Sequence, residues 1–163
     1  MLPKVYIETT IPSYLTSRTS RNIITAGHQQ STHDWWVIRR NDFELFVSEI
    51  VIRECEAGDT AMAAKRLEII ADIPVLEIPQ TVDFLAEQLI TDGPLPRKAE
   101  TDAAHIAIAA TNGIDFLLTW NLRHIANAEM QESIRLVCQR AGFRLPVICT
   151  PEELLGEKYY VEG

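Results

Sequence analysis

Short apolar runs alternate with helical spacing along nearly the whole chain. Lys4-Val5-Tyr6-Ile7 reads as a strand, and Thr9 to Leu15 as a loop entering a helix, with Thr10 as cap and Pro12 in the first turn. Residues 21 to 40 carry helical spacing through Ile24, Trp35, Trp36 and Ile38. Leu45-Phe46-Val47 is a second strand. Ser48 caps a helix ended by Gly58, and Asp59 caps another through Met62, Leu67 and Ile70. Pro74 to Ile78 reads as a third strand, Thr81 to Ile90 as a helix, and Ala99 to Thr111 as an alanine-rich helix broken at Asn112-Gly113. Phe116 to Thr119 is a fourth strand, Asn127 to Ala141 a helix closed by Gly142, and Pro146 to Cys149 a fifth strand. Thr150-Pro151-Glu152-Glu153 opens a short last helix with a cap, an N1 proline and an N3 glutamate.

This alternation of short apolar strands with helices calls for an α/β fold, with a parallel sheet of about five strands covered on both faces. The 163 residues suit one domain, taken as 1–155, followed by a loose tail over 156–163. No stretch approaches the roughly 18 apolar residues that span a bilayer. Met1 runs straight into the first strand, so no leader peptide is expected. Cys55, Cys138 and Cys149 are odd in number and widely spaced, which argues for thiols in a reducing cytoplasm and against a disulfide framework or a cysteine zinc site.

The charge narrows the chemistry. Fifteen basic and 23 acidic residues give a net charge of −8. That argues against nonspecific phosphate-backbone binding through a basic face, while leaving room for an enzyme that meets nucleic acid through bound cations. In open parallel sheets, ligands bind beyond the carboxyl ends of the strands. Glu8 follows the first strand, Ser48 and Glu49 the second, and Thr119, Trp120 and Asn121 the fourth. Asp102 opens the helix before the fourth strand, so it lies at the same end. Glu8, Glu54, Asp102 and Asn121 are therefore expected to converge. Oxygen donors of this kind select hard divalent cations such as Mg²⁺ or Mn²⁺, which assist phosphodiester hydrolysis.

Four segments carry a resemblance. They are Val5-Tyr6-Ile7-Glu8-Thr9-Thr10, Ser48 to Glu54, Thr101-Asp102-Ala103-Ala104-His105-Ile106-Ala107, and Leu117-Leu118-Thr119-Trp120-Asn121. Their order and spacing resemble the motifs of PIN-domain ribonucleases, to which the VapC-type toxins of bacterial VapBC pairs belong. The resemblance implies a three-layer α/β/α fold and a metal-dependent endoribonuclease, with RNA as substrate, an antitoxin partner and a homodimer. It implies Glu8, Glu54 and Asp102 as metal ligands and Asn121 in the place of a fourth acid, with Thr9 or Thr119 positioning a metal-bound water. The sequence departs from the family pattern at Glu8, where aspartate is usual, at Asn121, which is neutral, and at His124, where some members have a further aspartate. A PIN-like module that binds RNA or protein without cleavage is the main alternative. A phosphatase or response-regulator type of domain is disfavoured, since no matching lysine follows the last strand.

Several residues have plain structural readings. His105 shares a helix face with Asp102 and reads first as a packed core histidine. Glu49 and Glu100 fit solvated positions. Trp35 and Trp36 read as core or dimer packing, and Trp120 as a base-stacking candidate. Arg97 and Lys98 are either substrate-phosphate contacts or a solvated pair.

Overall fold

The computed structural model describes residues 1–161. Its centre is a parallel sheet of four strands: β1 (Lys4–Ile7), β2 (Glu44–Phe46), β3 (Phe116–Leu118) and β4 (Val147–Cys149). They lie in the order β2-β1-β3-β4. Val5 pairs with Leu45 on one side and with Phe116 on the other, and Leu117 pairs with Ile148. Val5, Tyr6, Ile7, Leu117 and Leu118 are wholly buried, as the two central strands of a covered parallel sheet must be.

The segment expected to form the third of five strands, Pro74 to Ile78, contributes a single parallel bridge from Val75 to Val47, at the outer edge beside β2. Val75 and Ile78 are exposed there. Proline at both 74 and 79 removes backbone donors, and of residues 74–78 only Leu76 packs against the core. The sheet therefore has four strands among the described residues, not five.

Among the described residues there are eight α-helices: α1 (Thr10–Thr16), α2 (Ile23–Ile38), α3 (Glu49–Glu56), α4 (Thr60–Ile70), α5 (Gln80–Thr91), α6 (Glu100–Thr111), α7 (Ala128–Arg140) and α8 (Glu157–Val161). Asn22, Ser48, Asp59 and Asn127 cap α2, α3, α4 and α7 through their side-chain oxygens. Gly113, at φ +65°, and Gly142, at φ +88°, take the left-handed conformation that turns the chain out of α6 and α7. Thr150 and Glu153 cap each other at a 3₁₀ turn over Glu152–Leu154, shorter than the helix expected there. Of the segment read as a loose tail, Glu157–Val161 is helical, and residues 162 and 163 lie outside the described residues. No described helix is long and apolar enough to cross a membrane.

α6 lies deepest of the helices. Every residue from His105 to Ala110 is buried, and α5 packs along it. Alanine at 103, 107, 109 and 110 allows close approach on several sides. α6 runs back toward the start of β3, so its N-terminal turn stands over the carboxyl ends of the strands. Chain order reverses between β1 and β3, since the path goes from β1 out to β2 and returns beyond β1. A crevice for ligands forms at such a reversal.

Candidate active site

Glu8 leaves β1 at that reversal and is 4% exposed. A buried carboxylate needs compensating donors. Thr119, just past β3, donates its hydroxyl to Glu8 Oε1 at 2.5 Å, and Thr10 donates its hydroxyl to the same oxygen at 2.6 Å. The Thr10 amide reaches Oε2 at 3.1 Å. The expected cap of α1 is thus displaced by one residue: Thr9 occupies the cap position without a capping bond, and the Glu8 carboxylate satisfies the first turn. Thr10 and Thr119 are themselves held, since Trp120 N donates to Thr10 Oγ1 and Asn121 N to Thr119 Oγ1.

Glu54 comes from the last turn of α3, with its side chain 39% exposed. Its Oε1 accepts from the Thr9 hydroxyl at 2.7 Å and lies 2.6 Å from His105 Nε2. Burial pushes the Glu54 carboxyl up, but the hydrogen bonds from His105 and from the Thr9 hydroxyl outweigh it and hold the group below its ordinary value. His105 is buried, as the sequence suggested, yet it is also part of the site. Its Nδ1 meets the Tyr6 hydroxyl at 2.7 Å, and that hydroxyl meets Ser48 Oγ at 2.7 Å. Tyr6 escaped notice in the sequence. The available signal was a tyrosine inside a wholly buried strand, whose hydroxyl must find a partner.

One donor atom from each of Glu8, Glu54 and His105 lies within 4.8 Å of the others. Asp102 is not in that group. It sits one turn earlier on α6, and both of its oxygens are engaged: Oδ1 accepts from Asn121 Nδ2 at 3.0 Å, and Oδ2 lies 2.9 Å from His124 Nδ1. Asn121 Oδ1 in turn accepts from the His124 amide. Asn121 and His124, the two departures in the fourth motif, thus both attach to Asp102.

The donor chemistry fits a hard divalent cation. Glu8 Oε2 accepts one amide and keeps a lone pair, and Glu54 Oε2 has no hydrogen-bond partner among the described residues. Two carboxylates whose other oxygens are already fixed offer preoriented ligands. Beside Glu54 opens a cleft of about 670 Å³, with Ile50, Ala86 and Ile90 along it and Arg53, Asp83 and Glu87 among its charged residues.

Other expected contacts fall elsewhere. Arg97 forms a two-point ion pair with Glu87 at 2.7 and 2.8 Å, and Lys98 is exposed in the 3₁₀ turn before α6. Arg53, which sequence reasoning passed over, shares the cleft with Glu54. Trp120 is not free to stack on a base. It is 7% exposed, His28 and Tyr14 stack on it at 4.1 and 5.9 Å, and its ring N–H donates to Thr32. Trp35 is a core residue, and Trp36 packs beneath Arg40.

No protein-family model matches the sequence, and no curated protein matches it. Among solved structures, the chain is similar to one in the crystal structure of VapBC2 from Rickettsia felis bound to a DNA fragment from their promoter. The likeness covers 90% of this chain and 98% of that one, with a TM-score of 0.56 and 13% sequence identity. At that identity the likeness establishes architecture alone, and the architecture is a PIN-like α/β fold: a parallel sheet flanked by helices.

Proposed function

We propose that the chain is a PIN-type endoribonuclease dependent on Mg²⁺ or Mn²⁺, and the toxin of a pair restrained by an antitoxin partner, acting as a homodimer in the cytoplasm. The observation that carries this reading is the meeting of the Glu8 and Glu54 carboxylates at the point where strand order reverses, each with a lone pair still open on its Oε2. The fold likeness to a chain of VapBC2 supports it.

In this reading Glu8 and Glu54 hold the cation, and Asp102 completes the acidic wall from α6. A divalent cation there supplies Lewis acidity at a phosphoryl oxygen and acidifies a bound water. The chain's own groups do the positioning. Thr10 and Thr119 orient the Glu8 carboxylate by donating to it, and Thr9 does the same for Glu54. Asn121 fixes the Asp102 carboxylate. The extra methylene of Glu8 is accommodated by three donors built around its carboxylate, so the longer side chain has a defined place. Arg53 is the side chain best placed to meet a phosphate entering the cleft beside Glu54. Arg97 is already held by Glu87, and Lys98, exposed in the turn before α6, is a second candidate for that phosphate.

The test is cleavage of a mixed-sequence RNA with and without Mg²⁺ or Mn²⁺, comparing wild type with Glu54→Gln and Asp102→Asn. Each variant is expected to lose a hundredfold or more, on the order of ~3 kcal/mol of transition-state stabilisation. A second reading is a module that binds RNA or protein without cleaving. It is favoured by one observation: both Asp102 oxygens are taken by Asn121 and His124. Calorimetry with Mn²⁺ separates the two. Equal indifference to the metal in wild type and Asp102→Asn would end the enzyme reading.

A further inference from the structure

We infer that His105 is a positioning residue for Glu54 and not a cation ligand, because a one-way hydroxyl relay from Ser48 through Tyr6 fixes its imidazole as the Nε2–H tautomer. This deepens the nuclease reading and rests on it for the identity of the cation. It runs against the first impression that three donor atoms within 4.8 Å make a mixed carboxylate–imidazole site.

The direction of the relay follows from counting protons. Ser48 is wholly buried. Its Oγ has two hydrogen-bond neighbours among the described residues, the Val51 amide and the Tyr6 hydroxyl. An amide N–H only donates, so the serine proton goes to Tyr6. The Tyr6 oxygen then accepts from Ser48, and its own proton has one remaining acceptor, His105 Nδ1 at 2.7 Å. Tyr6 is wholly buried, so its hydroxyl has no solvent to donate to and uses this acceptor. Nδ1 is therefore bare, and the neutral ring carries its proton on Nε2, 2.6 Å from Glu54 Oε1. An N–H donated to a carboxylate accounts for so short a contact.

A nitrogen carrying that proton has no in-plane lone pair to give a metal. To become a ligand, Nε2 would have to lose its proton and Nδ1 gain one. Tyr6 would then donate back to Ser48, whose hydroxyl proton would be stranded in a buried place. A doubly protonated ring reverses the relay in the same way and strands the same proton. His105 thus serves the site by pinning Glu54 Oε1, which leaves Oε2 as the ligand atom. The set offered to a cation consists of oxygens only, and it favours Mg²⁺ and Mn²⁺ over Zn²⁺.

The primary test needs no substitution. Long-range ¹H–¹⁵N spectra of the full chain with ¹⁵N-labelled histidine report the tautomer of each ring. His105 is expected to give the Nε2–H pattern both without metal and with saturating Mg²⁺. Calorimetry with Mg²⁺ and Zn²⁺ on wild type, His105→Gln and His105→Ala then reads the consequence. Glutamine carries an amide donor at nearly the reach of Nε2, so His105→Gln is expected to keep Mg²⁺ affinity within about threefold. His105→Ala is expected to lose about 10- to 100-fold. Tyr6→Phe removes the proton that holds Nδ1 bare, and should move His105 away from a pure Nε2–H state. An Nδ1–H or doubly protonated ring in the metal-free spectrum overturns the inference. So does disappearance of the Nε2 proton on adding Mg²⁺, or failure of glutamine to rescue. If wild type binds no cation while His105 keeps its Nε2–H pattern, the nuclease reading falls and the positioning of Glu54 stands.

Discussion

At the scale of single residues, the site depends on hydroxyls more than on charge pairs. Thr119 is the sharpest case. It is wholly buried, donates to Glu8 Oε1 and accepts from the Asn121 amide. Thr119→Val keeps the shape and removes both bonds, leaving a buried carboxylate short of a donor. We expect a loss of about 1–3 kcal/mol, read as a lower urea midpoint at unchanged m-value. A loss under a few tenths would mean that water replaces the hydroxyl. Glu8, Asp102, Thr9 and Thr119 were legible in the sequence, because each follows a strand or opens a helix at one end of the sheet, and Glu54 was legible from its place in the second of the four segments. Their partners were not. Tyr6 to His105 spans 99 positions and Glu54 to His105 spans 51. Helical periodicity places His105 on a face but does not say which strand hydroxyl or which carboxylate the face meets. For the same reason Trp120 read as available to a base, although His28 and Tyr14 stack on it.

At the scale of elements, two features carry expectations. α6 is buried over an unbroken run from His105 to Ala110, which leaves no solvated side to absorb added volume. Ala107→Leu should therefore cost about 1–3 kcal/mol through overpacking, measured by thermal or urea unfolding. The same substitution at an exposed alanine such as Ala61 should be near neutral. The second feature ties β1 to β3 at their starts. Lys4 N donates to Asp115 Oδ2 at 2.8 Å, Asp115 N returns a bond to Lys4 O at 3.0 Å, and Arg144 reaches Oδ1 at 3.1 Å. The Lys4 amide is the main cause that holds the Asp115 carboxyl below its ordinary 3.8; burial opposes it, and the Arg144 guanidinium adds to the lowering. A depressed carboxyl stabilises the fold above its unfolded value and loses that contribution as pH falls through the folded value. Asp115→Asn should therefore flatten the acid limb of the stability curve below about pH 4, by less than about 1 kcal/mol given its exposure. Unfolding midpoints between pH 2 and 6 for the two proteins check it; parallel curves would remove the claim. Element type was the most legible level of all. Caps at Ser48 and Asp59 stand as read. The Pro74–Ile78 strand shrank to one bridge because apolar composition alone does not tell a covered strand from an exposed edge.

For the whole molecule, the proposed nuclease reading has to be squared with a net charge of −8. That balance argues against holding a polyanion through a basic face, so on this reading association should depend on the divalent cation more than on released counterions. Cation binding is also readable without any substrate. A ligand that binds only the folded chain stabilises it by about 2.7 kcal/mol at a hundred times its dissociation constant. For a domain of this size that corresponds to a rise in Tm of about 5–10 °C. The rise should follow Mg²⁺ or Mn²⁺ concentration logarithmically, and an equal ionic strength of NaCl should not reproduce it. It should shrink sharply in Glu54→Gln, which replaces one carboxylate ligand by an amide and keeps the size. Exposed acids such as Glu132, already paired with Arg135, should leave it unchanged when replaced. If Mg²⁺ lifts Tm equally in Glu54→Gln and in wild type, the cation is screening surface charge at large, and the paired glutamates are not its site.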